Sequence, residues 1–197
     1  MENLSDKRDI ILARERKFAA GIARDVLNKP KLSSWMIFIP FLFIFYIQDL
    51  MRFKKKRKEF LDNYIFSREK ALNEAMAALR ENRKPDAVAL ARKADLQDRA
   101  TEKYAELLDV LIGHYTSLLK ANGDDYETLV RFAYGKQRTN FLRFMNQLNN
   151  AEKTLNKALL PALRMAREGV NDVVEKIETR SDELRLVLIE EIFGAGS

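Results

Sequence analysis

The sequence predicts an all-α fold. It comprises an N-terminal amphipathic helix, a short proline-broken membrane-inserted helix and a C-terminal antiparallel bundle of three to four long helices. Three observations predict it. The chain holds only 7 glycines and 4 prolines in 197 residues, while Ala, Leu, Glu, Lys and Arg, all good helix formers, are abundant. Apolar residues recur at helical spacing along most of its length, and no stretch alternates as a strand would. One stretch, Trp35–Ile47, is apolar all round and carries no charge or amide.

The first helix spans residues 5–27. Ser5 can cap it, and Ile11, Phe18, Ile22 and Val26 fall near one face, with Arg14, Lys17 and Arg24 elsewhere on the wheel. Such a helix either lies in a membrane interface or packs on the C-terminal bundle. Asn28-Lys29-Pro30 ends it.

The apolar element follows, with Ser33 or Ser34 as its cap. Trp35–Met51 is 17 residues, about 25 Å as a helix and the short limit for a span. Pro40 removes a backbone donor in its interior, so a kink or break is expected there. The residues expected in the membrane are Trp35, Phe38, Pro40, Phe41, Phe43, Phe45 and Tyr46, with Trp35 and Tyr46 as interface anchors. A basic clamp follows: Arg52, Lys54, Lys55, Lys56, Arg57 and Lys58 are expected at lipid-headgroup depth. The cluster reads as a stop-transfer signal without lipid specificity in preference to a dedicated lipid site. The element sits too far along the chain for a secretory signal, and a basic run stands where a cleavage site would be. The twenty residues before it carry five Lys/Arg and the twenty after it eight, so both flanks favour the cytoplasm. A re-entrant insertion, a single span and burial in a soluble assembly remain open.

Past the clamp, Leu61, Ile65, Leu72, Met76 and Leu79 keep a helical stripe as far as Asn82. Asn82-Arg83-Lys84-Pro85-Asp86 is a break. One helix is then expected from Pro85 to Asn122, with the strongest apolar stripe in the chain: Tyr104, Leu108, Leu111, Tyr115 and Leu118. Asp124 and Glu127 resemble a capping box. The next helix carries Leu129, Phe132, Phe141, Met145, Leu148, Leu155 and Leu159, and Pro161 and Gly169 are its weak points. The last offers Val170, Val173, Val174, Ile177, Leu184, Leu188 and Ile192. The domain reading is 1–31 as the N-terminal helix, 32–58 as the membrane-inserted segment with its clamp, and 59–197 as a cytoplasmic bundle.

Charge supports this division. Residues 1–31 carry eight Lys/Arg against five Asp/Glu, residues 32–58 six against one, and residues 59–197 21 against 23. The net +6 therefore comes from the flanks of the apolar run, which suits anionic lipid better than nucleic acid.

Few residues suggest chemistry. Without cysteine there is no thiol nucleophile or thiolate metal site, and with one histidine there is no two-histidine zinc site. No glycine-rich phosphate loop occurs. His114 lies within the strongest core stripe and reads as a partly buried or boundary histidine rather than a catalytic base. Glu168, Asp172 and Glu175 share a helix face and read as surface acids before a cation site. Asp95, Asp98, Glu102, Glu106 and Asp109 form an acidic row, a solvated face or a dock for a basic partner. Arg131 to Arg143 mixes bases and aromatics, but helical spacing turns Phe141 and Met145 inward, so nucleic acid is not the expected partner. The sequence therefore suggests a non-enzymatic, membrane-anchored adaptor or scaffold without cofactor, bound to lipid and to a protein partner or copies of itself. A membrane-remodelling oligomer is the alternative, and a membrane-associated enzyme a third.

Overall fold

The computed structural model describes residues 4–27, 56–94, 96–166 and 170–194. They form α1 (Leu4–Leu27), α2 (Lys56–Arg80), α3 (Ala87–Arg92), α4 (Asp98–Lys120), α5 (Tyr126–Ala133), α6 (Arg138–Ala166) and α7 (Val170–Phe193). No strand occurs among the described residues. Five of the helices are long; α3 and α5, of 6 and 8 residues, are the short ones.

The others pack around α4, which contacts α1, α2, α3, α5 and α6. Its apolar stripe explains why. Tyr104, Leu107, Leu108, Leu111, Tyr115 and Leu118 are all fully buried. Burial of each such leucine is worth roughly 1.5–3 kcal/mol, far more than any helix propensity. Lys7 reaches from α1 to the end of this helix, its Nζ donating to Ala121 O at 2.6 Å and Leu119 O at 3.4 Å. A cation there answers both the unpaired carbonyls and the negative end of the helix dipole.

Cross-pairs give the directions. Arg8 meets Glu69 and Asn73, Glu15 meets Arg68, and Phe18 lies against Tyr64, so α1 and α2 are antiparallel. Arg185 meets Asn149, Asp182 meets Lys153, and Glu178 meets Asn156, so α6 and α7 are antiparallel. Arg14 pairs with Glu191 while Gly21 lies against Leu184, so α1 and α7 are antiparallel too. Helix α1 buries Ile11, Leu12, Ala19, Ile22 and Ala23 in the same core as α2, α4 and α7. Of its two predicted placements, this is packing on the bundle.

Three boundaries differ from those predicted. Residues 85–122 are not one helix. Asp86 caps α3 by accepting from Ala89 N at 2.8 Å, and the chain leaves helical geometry before Gln97, which is extended. Buried Ala91, Ala94 and Ala100 let α3 fold back on α4, a packing gain that local propensity does not encode. The cap of α5 is Asp125, whose carboxylate accepts from Thr128 N at 2.7 Å, not Asp124. The helix expected from Asp125 is split at Tyr134–Gln137. There Gly135 (φ 64°) and Lys136 (φ 59°) take left-handed geometry, and Lys136 N closes the turn on Arg131 O at 2.6 Å. Pro161 does not interrupt α6, which continues to Ala166; Gly169 lies outside the described residues.

Trp35, Phe38, Pro40, Phe41, Phe43, Phe45, Tyr46, Arg52, Lys54 and Lys55 also lie outside the described residues. Lys56, Arg57 and Lys58 open α2. Among the described residues, no helix is long and apolar enough to cross a membrane.

Candidate functional site

Two polar features stand out: a charge network inside the bundle and a groove on its surface. The network begins with Arg68, 1% exposed at the centre of the fold. Its Nε donates to Glu15 at 2.9 Å and its Nη2 to Glu152 at 2.8 Å. Its guanidinium lies 3.5 Å from the centre of the Tyr64 ring. Arg185 donates to the same Glu152 oxygen at 2.7 Å, and Tyr115 Oη donates to Glu15 at 2.8 Å. Two arginines thus face two glutamates, and the cluster is neutral as a whole. Burial pushes the Tyr64 and Tyr115 phenols well above their usual range, so both stay protonated, and Tyr115 keeps the proton it donates to Glu15. A small cavity of about 30 Å³ adjoins the cluster, bounded by Glu15, Arg68, Arg185 and His114, enough for about one water.

These four charges were not singled out by sequence, yet a signal exists. Each sits in register with an apolar stripe: Glu15 between Ile11 and Phe18, Arg68 between Ile65 and Leu72, Glu152 between Leu148 and Leu155, and Arg185 between Ile177 and Leu188. A charge at a core position demands a partner on another helix.

The groove lies between α4 and α6, and Ala133, Tyr134 and Gly135 of the turn after α5 also line it. It is open to solvent and has a volume of about 870 Å³. His114, 4% exposed, lies at its floor. The imidazole stacks on Phe144, with centroids 4.1 Å apart and planes at 17°. Its Nδ1 shares a 2.8 Å hydrogen bond with Tyr134 Oη. Burial pushes the imidazole down to about 3, so it is neutral at physiological pH. Two hydroxyls on the walls are turned to their own helices: Ser117 donates to Gly113 O at 2.9 Å and Thr154 to Asn150 O at 2.6 Å. Glu106 and Asp109 line the α4 wall, and Arg143, Gln147 and Asn150 the α6 wall.

The structure places the other candidate residues as follows. Asp98, Glu102, Glu106 and Asp109 are exposed along α4, with Lys103 pairing Glu106 at 2.5 Å and Glu102 at 3.3 Å; Asp95 lies outside the described residues. Asp172 and Glu175 are exposed, Glu168 lies outside the described residues, and no metal-holding cluster occurs among those that are described. Phe141 and Met145 are buried while Arg138 and Arg143 are exposed, as helical spacing predicts. No protein family, characterised protein or solved structure matches this chain.

Proposed function

We propose that this chain is a non-enzymatic adaptor or scaffold, a helical bundle held at a membrane by the apolar segment between α1 and α2, with the bundle on the cytoplasmic side. The observation that carries the reading is the antiparallel pairing of α1 with α2. Phe18 lies beside Tyr64, so Leu27 and Lys56 fall at the same end of the bundle. The chain thus ends α1 and begins α2 at that end, with 28 residues between the two in sequence. Those residues contain the apolar run Trp35–Ile47 and the first half of the basic clamp, Arg52, Lys54 and Lys55. Because α1 shares its core with α2, α4 and α7, α1 and the bundle belong on one side of a bilayer. A single crossing would divide them, whereas a re-entrant insertion into one leaflet keeps them together. Basic residues on both flanks favour the cytoplasmic face and anionic headgroups. Insertion into one leaflet also supports the second reading, membrane remodelling by a wedge.

Single-cysteine labelling tests this. The chain has no native cysteine, so Ser5→Cys and Glu183→Cys each report alone. Both thiols are expected to resist an impermeant maleimide in intact cells and to react once the membrane is opened, with carbonate failing to extract the protein. Opposite accessibility of the two thiols, or release by carbonate, would overturn the reading. Tubulation of anionic liposomes by the purified protein separates the wedge from an inert anchor.

A further inference from the structure

We infer that the groove between α4 and α6 is the docking site of this adaptor: it receives a helix of another protein, one with basic side chains facing α4 and a small residue over Gly113. The inference rests on the adaptor reading and names its partner surface.

Gly113 is the central observation. A glycine inside a helix costs roughly 0.5–1 kcal/mol relative to alanine. Usually packing explains it, but a Cβ built here meets nothing within 4 Å. The fold therefore does not need this glycine. It leaves the α4 backbone bare at the groove, where Ala133 and Ala151 are also small. Small residues on a helix surface let a second helix approach closely.

Shape and backbone chemistry select a helix as occupant. The α4 wall runs from Glu106 to Ser117, about 16 Å or three helical turns. It is an open trough, which suits an elongated occupant more than a compact ligand. Both walls are helices whose main-chain groups are already paired, so an extended peptide finds no strand edge to join. A helix brings its own backbone bonds satisfied and needs only side-chain contacts. His114, Tyr134 and Phe144 give it an aromatic floor, and charges and amides form the rim, the usual anatomy of an interface.

Charge sets the sign of the partner. In a chain of net charge +6, the α4 wall is locally acidic. Lys103 partly neutralises Glu106 and Glu102, but Asp109 makes no ion pair among the described residues, and Asp98 extends the row beyond the groove. Such a wall attracts lysine or arginine and repels acidic helices.

The test is photo-crosslinking in the cells that make the protein, with the photoreactive residue at Gln147 of the full-length chain. The expected result is an adduct with one other polypeptide, mapped to a helical segment bearing Lys or Arg. It should fall about tenfold in Gly113→Phe, which fills the trough without touching the core, and in the Glu106→Lys/Asp109→Lys pair. Absence of an adduct overturns the proposal. So does an adduct with a second copy of this chain, with an acidic segment, or one that Gly113→Phe leaves intact. Carbonate extraction of the same cells separates the two readings. A chain that stays in the membrane but forms no adduct loses the groove and keeps the anchor. A chain released by carbonate that still forms the adduct loses the anchor and keeps the groove.

Discussion

At the residue scale, burial decides what each polar group can do. His114 is the only histidine, and its ring is enclosed by Phe144, Tyr134 and Tyr115. Its usual pKa of 6.5 falls to about 3 in the fold. Above pH 6.5 the ring is neutral in both folded and unfolded chains and makes no difference to stability. Below it, the unfolded chain takes a proton that the folded ring refuses, so stability falls by about 1.4 kcal/mol per pH unit until pH 3. Between pH 7 and pH 5 the protein should lose about 2 kcal/mol more than His114→Phe does, measured by urea unfolding of both. The single imidazole signal in an NMR spectrum should also stay constant from pH 8 to 4.5; titration near 6.5 would show the ring is hydrated. That His114 lies near the core was legible from its place in the apolar stripe, but the sequence alone leaves it at the boundary, and its full burial came from the structure. Its stacking on Phe144 was not legible, because that depends on how α6 lies against α4.

At the scale of elements, periodicity located the long helices but not their ends. The stripe from Tyr104 to Leu118 was readable because so many large apolar residues fall at helical spacing. The break before α4 was not, since Lys93 to Gln97 contains neither glycine nor proline. The turn between α5 and α6 had a cue in Gly135, although the left-handed Lys136 beside it has no compositional mark. Within α4, Gly113→Ala should raise stability by about 0.5–1 kcal/mol, because the new Cβ meets no atom and the helix loses a flexible residue. Gly123→Ala should do the reverse. Its φ of +153° is unfavourable for a side chain, and the Cβ would lie 2.7 Å from Thr128 Cγ2. Thermal unfolding of the two variants checks both signs; destabilisation by Gly113→Ala would show that the trough is closed in solution.

At the scale of the whole molecule, the buried charges bind the helices to one another. Glu15 comes from α1, Arg68 from α2, Glu152 from α6 and Arg185 from α7, with Tyr115 of α4 completing the cluster. Replacing the entire network with apolar residues need not weaken the fold, but removing one member strands its partners in the core. Arg68→Ala should therefore cost about 3–5 kcal/mol in urea unfolding. A loss below about 1 kcal/mol would mean that water already serves these glutamates. Helical class, the apolar run at Trp35–Ile47, the clustering of basic charge beside it and the core-facing stripes were determined by sequence alone. Each of these is a local pattern that composition and a period of 3.6 residues express. Only tertiary structure decided that α1 belongs to the bundle, that Leu27 and Lys56 fall at the same end of it, that four charges neutralise each other inside, and that Gly113 opens onto a trough. Those features join residues far apart in the chain, and their energies come from burial and pairing between helices, which no single helix carries in its own pattern.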